Sequence, residues 1–224
     1  MLLMTLILGM VVYWDTEKLI QAGQYEEKQS AELILDAGHG GEDGGALSIS
    51  GVSESQINLE IVQKIDDLLG LYGASPVLLR RTDTSLHSKG ANTLHEKKVS
   101  DLKNRVEAIQ SNKGTTLISI HQNTYPTIEA KGLQAFYAPT EGSKELAELI
   151  QKSVQETLQK ENKRTARQIS KSVYLMNHVS CRAVLIECGF LTHPQEERDL
   201  LDHMYQRKLA AVLACAWLNS REVQ

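Results

Sequence analysis

Two hydrophobic periods alternate along this chain. Short runs rich in β-branched residues and leucine recur at 33–36, 76–79, 117–120, 133–137, 172–175 and 183–186, and their length and boundaries predict strands. Between the first two, Ile57, Ile61, Ile65 and then Leu68 or Leu69 recur at helical spacing and mark one face of an amphipathic helix. Ser53 with Gln56 three residues later predicts a capping box at its start, and Gly70 and Gly73 predict its end. Two further helices are predicted at 101–110, with Leu102, Val106 and Ile109 on one face, and at 144–158, with Leu146, Leu149, Ile150 and Val154. A last helix at 205–218 is almost wholly apolar after Lys208 and is expected to be buried. Strands alternating with helices predict an α/β fold: a single domain with a mostly parallel, twisted sheet of about six strands and helices on both faces.

The same patterning divides the chain. Residues 1–14 carry no charge and are mostly apolar, which reads as a signal or anchor segment. The run is shorter than the ~20 residues of a spanning helix and lacks a basic flank or a convincing A-x-A cleavage site. A buried N-terminal segment is the alternative that the residue types leave open. Residues 15–30 are polar, with Glu26, Glu27 and Lys28 in a row, and read as a linker. The domain is placed at 31–219, with a tail at 220–224, because neither a repeat nor a second shift of composition follows.

With 42% hydrophobic and 23% charged residues, the composition excludes a disordered or low-complexity chain. Basic residues number 24 against 28 acidic, and no cluster of Lys or Arg is interleaved with aromatics, so nucleic acid is excluded as a partner. Three cysteines, Cys181, Cys188 and Cys215, lie within apolar runs without C-x-x-C spacing, and are expected to be small buried apolar residues.

In sheets of this kind the ligand site forms beyond the carboxyl ends of the strands. Three predicted strands run into residues with chemistry: 33–36 into a glycine-rich loop holding His39, 117–120 into His121-Gln122-Asn123, and 183–186 into Glu187-Cys188-Gly189. Glu54 follows the glycine loop at the first turn of the helix. His39, Glu54 and His121 form a donor set suited to one zinc ion with its fourth position open to water. Five glycines between residues 38 and 45 let that loop approach metal and substrate closely. Each ligand also has a plainer reading, since a histidine after a strand can be structural and Glu54 can simply favour a helix N-terminus.

Glu187 ends an apolar strand, where a carboxylate is costly unless it is paired or does chemistry. It is read either as the general base and acid of a zinc hydrolase or as half of a buried ion pair with Arg105 or Arg182. Cys188 has no histidine placed beside it by the motif and is a poorer nucleophile. His178 and His193 lie near the strand-end loops and are minor candidates for contacts around the site; the remaining histidines read as surface residues.

The motifs Leu35-Asp36-Ala37-Gly38-His39-Gly40-Gly41, Gly51-Val52-Ser53-Glu54, Arg81-Thr82-Asp83, Leu102-Lys103-Asn104-Arg105, Ser119-Ile120-His121-Gln122-Asn123 and Ile186-Glu187-Cys188-Gly189-Phe190 occur in order. Together they resemble the zinc-dependent N-acetylmuramoyl-L-alanine amidases of bacterial cell walls, over about residues 32–218. The resemblance implies one Zn2+ held by His39, Glu54 and His121, with Glu187 as catalytic glutamate and Asn123 and Arg105 as candidate substrate contacts. It implies cleavage of the amide between N-acetylmuramic acid and L-alanine in peptidoglycan. Gln122 and His193 depart from residues common in the family. The His-Gln-Asn variant and the lone N-terminal hydrophobic segment are similar to the germination-specific subgroup, which prepares the muramic-δ-lactam of spore cortex. That subgroup implies extracytoplasmic action in the forespore intermembrane space, cooperation with a polysaccharide deacetylase, and in some members an activating lipoprotein. The same ligands would also serve a zinc peptidase cutting within stem peptides, and a non-catalytic wall-binding regulator is the reading from a different class.

Overall fold

The computed structural model describes residues 32–112 and 114–221; the predicted segments 1–14 and 15–30 and the end of the tail lie outside them. Six strands, β1 (Leu33–Ala37), β2 (Val77–Leu78), β3 (Thr116–Asn123), β4 (Gln134–Tyr137), β5 (Arg167–Gln168) and β6 (Arg182–Phe190), form one sheet in the order β2-β1-β3-β6-β4-β5. β2, β1, β3 and β6 run parallel; β4 is antiparallel to β6, and β5 is parallel to β4. The helices are α1 (Glu54–Leu71), α2 (Leu94–Gln110), α3 (Ser143–Thr157), α4 (Tyr174–His178), α5 (Pro194–Leu201) and α6 (His203–Asn219).

Strand periodicity assigns the layers, because successive side chains point to opposite faces. Leu33 and Leu35 of β1, Ile118 and Ile120 of β3 and Val184 and Ile186 of β6 pack with α1, α3 and α6 through Ile57, Ile61, Ile65, Ile150, Leu213 and Trp217. Their alternates Ile34, Leu117, Ala183 and Leu185 pack with α2 and α4 through Val106, Ile109, Leu175 and Met176. A parallel sheet covered on both faces is the predicted α/β architecture, and the central strands are accordingly apolar on both sides.

Several local expectations need correction. Ser53 is the N-cap of α1 in extended geometry, but its side chain makes no capping bond to the backbone; its hydroxyl instead lies 3.1 Å from that of Ser55. The capping box belongs to α2, where Thr93 accepts from the Glu96 N–H and the Glu96 carboxylate accepts from the Thr93 N–H, so that helix starts two turns before residue 101. Residues 172–175 are not a strand: α4 starts at Tyr174, because the adjacent residues Leu175 and Met176 are both buried, a helical rather than an alternating pattern. The sixth strand is β5, whose two residues are both exposed and carry no apolar signal. Cys188 is buried as expected, while Cys181 is half-buried and Cys215 is exposed on the outer side of α6.

Candidate metal centre

β1 delivers the chain to the carboxyl edge of the sheet, where Gly38 lets it pass so close to His121 that a Cβ there would collide with the imidazole. His39 follows in the left-handed region, φ 62°, which a side chain rarely adopts without external support. The support comes from buried arginines. Arg105 donates from Nη2 to the His39 carbonyl at 2.6 Å, and Arg80 donates to the carbonyls of Ala37 at 2.8 Å and Gly38 at 3.1 Å. Gly45, φ 70°, lies where any side chain would strike the Glu54 carboxylate and the His39 ring.

Glu54 opens α1 and is buried, its carboxylate accepting from the N–H groups of Ala46 at 3.0 Å and Gln122 at 3.1 Å. His39 presents Nε2 to Glu54 Oε2 at 3.4 Å, and His121 donates from Nδ1 to Glu54 Oε1 at 2.9 Å. The other nitrogen of His39, Nδ1, donates to Asp43 at 3.0 Å, which fixes the tautomer and leaves Nε2 as the inward donor atom. One donor atom from each of His39, Glu54 and His121 lies within 4.8 Å of the others. Two imidazoles and a carboxylate on three separate elements match the chemistry of a zinc-type site, so the donor set fits the ion expected from the sequence.

The electrostatics favour a cation. Burial alone would lower the pKa of His39, yet hydrogen bonds to Asp43 and Glu54 push it up to about 9. Burial alone would raise Glu54, but the two imidazoles hold it below the usual carboxylate range. In each case the anionic groups stabilise whatever positive charge sits between them.

Glu187 pairs in register with His121 across β3 and β6, so the two side chains share the α2–α4 face. Its Oε2 is buried without a hydrogen-bond partner, and burial pushes its carboxyl up to about 7, against the lowering effect of His121. The ion-pair alternative fails. Arg105, 2% exposed, spends its donors on Asp36, Asp101, the Ala37 carbonyl and the His39 carbonyl, and Arg182 bonds Thr116 and the Ser220 carbonyl. A cavity of about 280 Å³ opens over His39, His121 and Glu187, walled by Lys98, Leu102 and Tyr174. A larger one, about 970 Å³, lies at the opposite, amino edge of the sheet and contains none of these residues.

The remaining sequence candidates fall outside this group. Arg105 borders the cavity with its guanidinium buried and engaged by Asp36, Asp101 and the carbonyls of Ala37 and His39, where it supports the loop under His39. Asn123, at the end of β3, accepts from the Thr124 N–H at 2.8 Å. His193 caps α5 by accepting from the Glu196 N–H, and His178 donates to the Tyr174 carbonyl; neither lines the cavity. Sequence reasoning missed Asp43 and Asn58. Their signal was spacing: Asp43 lies four residues after His39, and Asn58 lies four after Glu54 on the same helix face.

Comparison with known proteins agrees with this geometry. The family model described as N-acetylmuramoyl-L-alanine amidase matches residues 33–217. The chain is 34% identical over 181 residues to the germination-specific N-acetylmuramoyl-L-alanine amidase of Bacillus subtilis (strain 168), covering 80% of this chain and 75% of that one. Among solved structures it is similar to the CwlD amidase from Clostridioides difficile in complex with the GerS lipoprotein, with TM-score 0.82, 35% identity, and 86% and 98% of the two chains covered. An N-acetylmuramoyl-L-alanine amidase from Clostridium difficile 630 matches with TM-score 0.74 and 28% identity over 87% of this chain and 98% of that one. With the match running from the first strand to the last helix through every residue of the site, the chain belongs to the N-acetylmuramoyl-L-alanine amidase family.

Proposed function

We propose that this chain hydrolyses the amide between the lactyl group of N-acetylmuramic acid and L-alanine in peptidoglycan, using one zinc ion held by His39, Glu54 and His121. The observation that carries the reading is the convergence of these three donors beside Glu187, a buried carboxylate whose Oε2 has no partner among the described residues. When bound, zinc would supply Lewis acidity, polarising the scissile carbonyl and acidifying water. Glu187 takes a proton from the attacking water and hands it to the alanine nitrogen as the carbon–nitrogen bond breaks, leaving a lactyl carboxylate and a free peptide amine. A carboxyl held near neutrality is suited to both transfers. Asp43 holds His39 in the tautomer that keeps Nε2 turned inward.

Within this reaction, the similarity to a germination-specific amidase supports a finer role: stripping stem peptides so that a polysaccharide deacetylase can close the muramic-δ-lactam of spore cortex. The structural relative bound to a lipoprotein supports an activating lipoprotein as partner here too. Action would be extracytoplasmic, in the forespore intermembrane space, with any membrane attachment made through residues 1–14. Among the described residues, no helix is long and apolar enough to cross a membrane.

The test is mass spectrometry of purified peptidoglycan digested by the zinc-loaded protein and by Glu187→Ala. Intact stem peptides beginning with L-alanine, released by the wild type alone, are expected. Cleavage inside the stem would replace the amidase with a peptidase, and release by Glu187→Ala would remove the glutamate from the chemistry.

A further inference from the structure

The three donors arrive on three elements, and one buried amide touches all three arrivals. Asn58, on α1 one turn after Glu54, is 0% exposed. Its Nδ2 donates to the Gly38 carbonyl, next to His39, at 3.1 Å and to Glu54 Oε1 at 3.4 Å. Its Oδ1 accepts from Gln122 Nε2, next to His121, at 3.1 Å, and Gln122 is 4% exposed. Gln122 acts a second time through its backbone, whose N–H donates to the same Glu54 oxygen at 3.1 Å.

The orientation of this relay is forced by its inner end. A carbonyl and a carboxylate can only accept, so Asn58 must turn its NH₂ toward Gly38 and Glu54, which turns its carbonyl toward Gln122. Gln122 must then turn its NH₂ inward to meet it. The outer atom, Gln122 Oε1, is left buried without a partner. An apolar side chain at that position would avoid the orphaned acceptor but would leave Asn58 Oδ1 without its donor, so the inner end of the relay is what the Gln122 amide serves.

We infer that Asn58 and Gln122 are positioning residues that preset the metal site, by locking Glu54 Oε1 and the Gly38 carbonyl in one arrangement before the ion arrives. The inference rests on the zinc reading proposed above. Hydrogen bonds behind the ligands of a metal site commonly account for about 10- to 100-fold in affinity, and that is the effect assigned to this pair. Neither side chain lines the cavity over Glu187, so neither touches substrate.

The experiment is zinc titration of the full chain against a chromophoric chelator, for the wild type, Asn58→Ala, Gln122→Leu, and Gln151→Leu as control. Gln151 is a buried amide of α3, 3% exposed, whose partners are the Ala135 N–H and the Leu133 carbonyl and which bonds none of the three donors. Both relay variants are expected to bind zinc about 10- to 100-fold more weakly, while Gln151→Leu lowers the melting temperature of the metal-free protein but leaves the zinc Kd unchanged. Gln122→Leu keeps the volume filled, so it carries the comparison if Asn58→Ala fails to fold. Unchanged affinity in a folded relay variant, or an equal loss in Gln151→Leu, would overturn the inference while the zinc reading stands. A wild type that takes up no zinc, matching His39→Ala, would overturn both.

Discussion

Glu187 sits where burial favours the neutral form of its carboxyl, about 7 against an ordinary 4.5. The sign of the linkage follows. An acid whose pKa is raised on folding contributes stability that is complete below the unfolded value, near 4.5, and is lost as the pH rises through about 7. At about 1.4 kcal/mol per unit, ionising this group costs the metal-free fold at most roughly 3 kcal/mol above neutrality. Glu187→Gln keeps the shape and cannot ionise. Thermal melts of the metal-free proteins should therefore place the variant several degrees above the wild type at pH 8 and bring the two together toward pH 4.5. A difference independent of pH would mean that the carboxylate is solvated or paired after all. The same substitution should lower turnover by about 10²–10⁴ while leaving zinc bound, the signature of a residue placed for chemistry at some cost to stability. At this scale the sequence was legible where a polar residue followed an apolar run: His39 lies just past β1, while His121 and Glu187 follow the apolar stretches of β3 and β6, which continue to Asn123 and Phe190. It was opaque where the role is to hold another residue, because Asp43 and Asn58 show nothing in themselves except a four-residue spacing.

Between residue and fold, the elements meet through one buried ion network. Asp36 of β1, Asp101 of α2 and the His39 carbonyl converge on Arg105, and Ser119 of β3 adds a hydroxyl to Asp36 at 2.6 Å. Burial alone would raise Asp36, but the guanidinium and the hydroxyl hold it below its ordinary value. Arg105→Met should cost about 3–5 kcal/mol in urea unfolding, because Asp36 would be left as an unpaired buried charge. Adding Asp36→Asn should recover part of that loss, and a double-mutant cycle with strictly additive costs would deny the pairing. The network also shows why elements were read unevenly from sequence. The Ile57, Ile61 and Ile65 stripe of α1 was plain because it faces the core over its whole length. The first two turns of α2, from Leu94 to Ser100, include no buried residue, so no stripe announces them, and only the capping box of Thr93 and Glu96 marked the start. β5 escaped for a related reason, as a two-residue edge strand with both side chains in water.

Taken as a whole, the molecule uses its parallel strands to bring distant parts of the chain to one edge, which is why the architecture could be argued from alternation alone while the sheet order could not. His39 follows β1, Glu54 opens α1, and His121 and Glu187 lie near the ends of the paired central strands β3 and β6. An ion held by the first three cross-links segments far apart in sequence, so its binding free energy is added to the stability of the domain. At zinc concentrations 100-fold above Kd the gain is about 2.7 kcal/mol, and for a domain of this size each kcal/mol moves the melting temperature by about 2–4 °C. Zinc should therefore raise the midpoint of the chelator-treated protein by roughly 5–10 °C, and His39→Ala should melt at the same temperature with or without it. Because His39 holds a proton up to about pH 9 in the metal-free site, zinc must displace that proton, and the zinc-induced rise should shrink as the pH falls below about 9. A midpoint indifferent to zinc at every pH would mean that His39, Glu54 and His121 do not hold this ion.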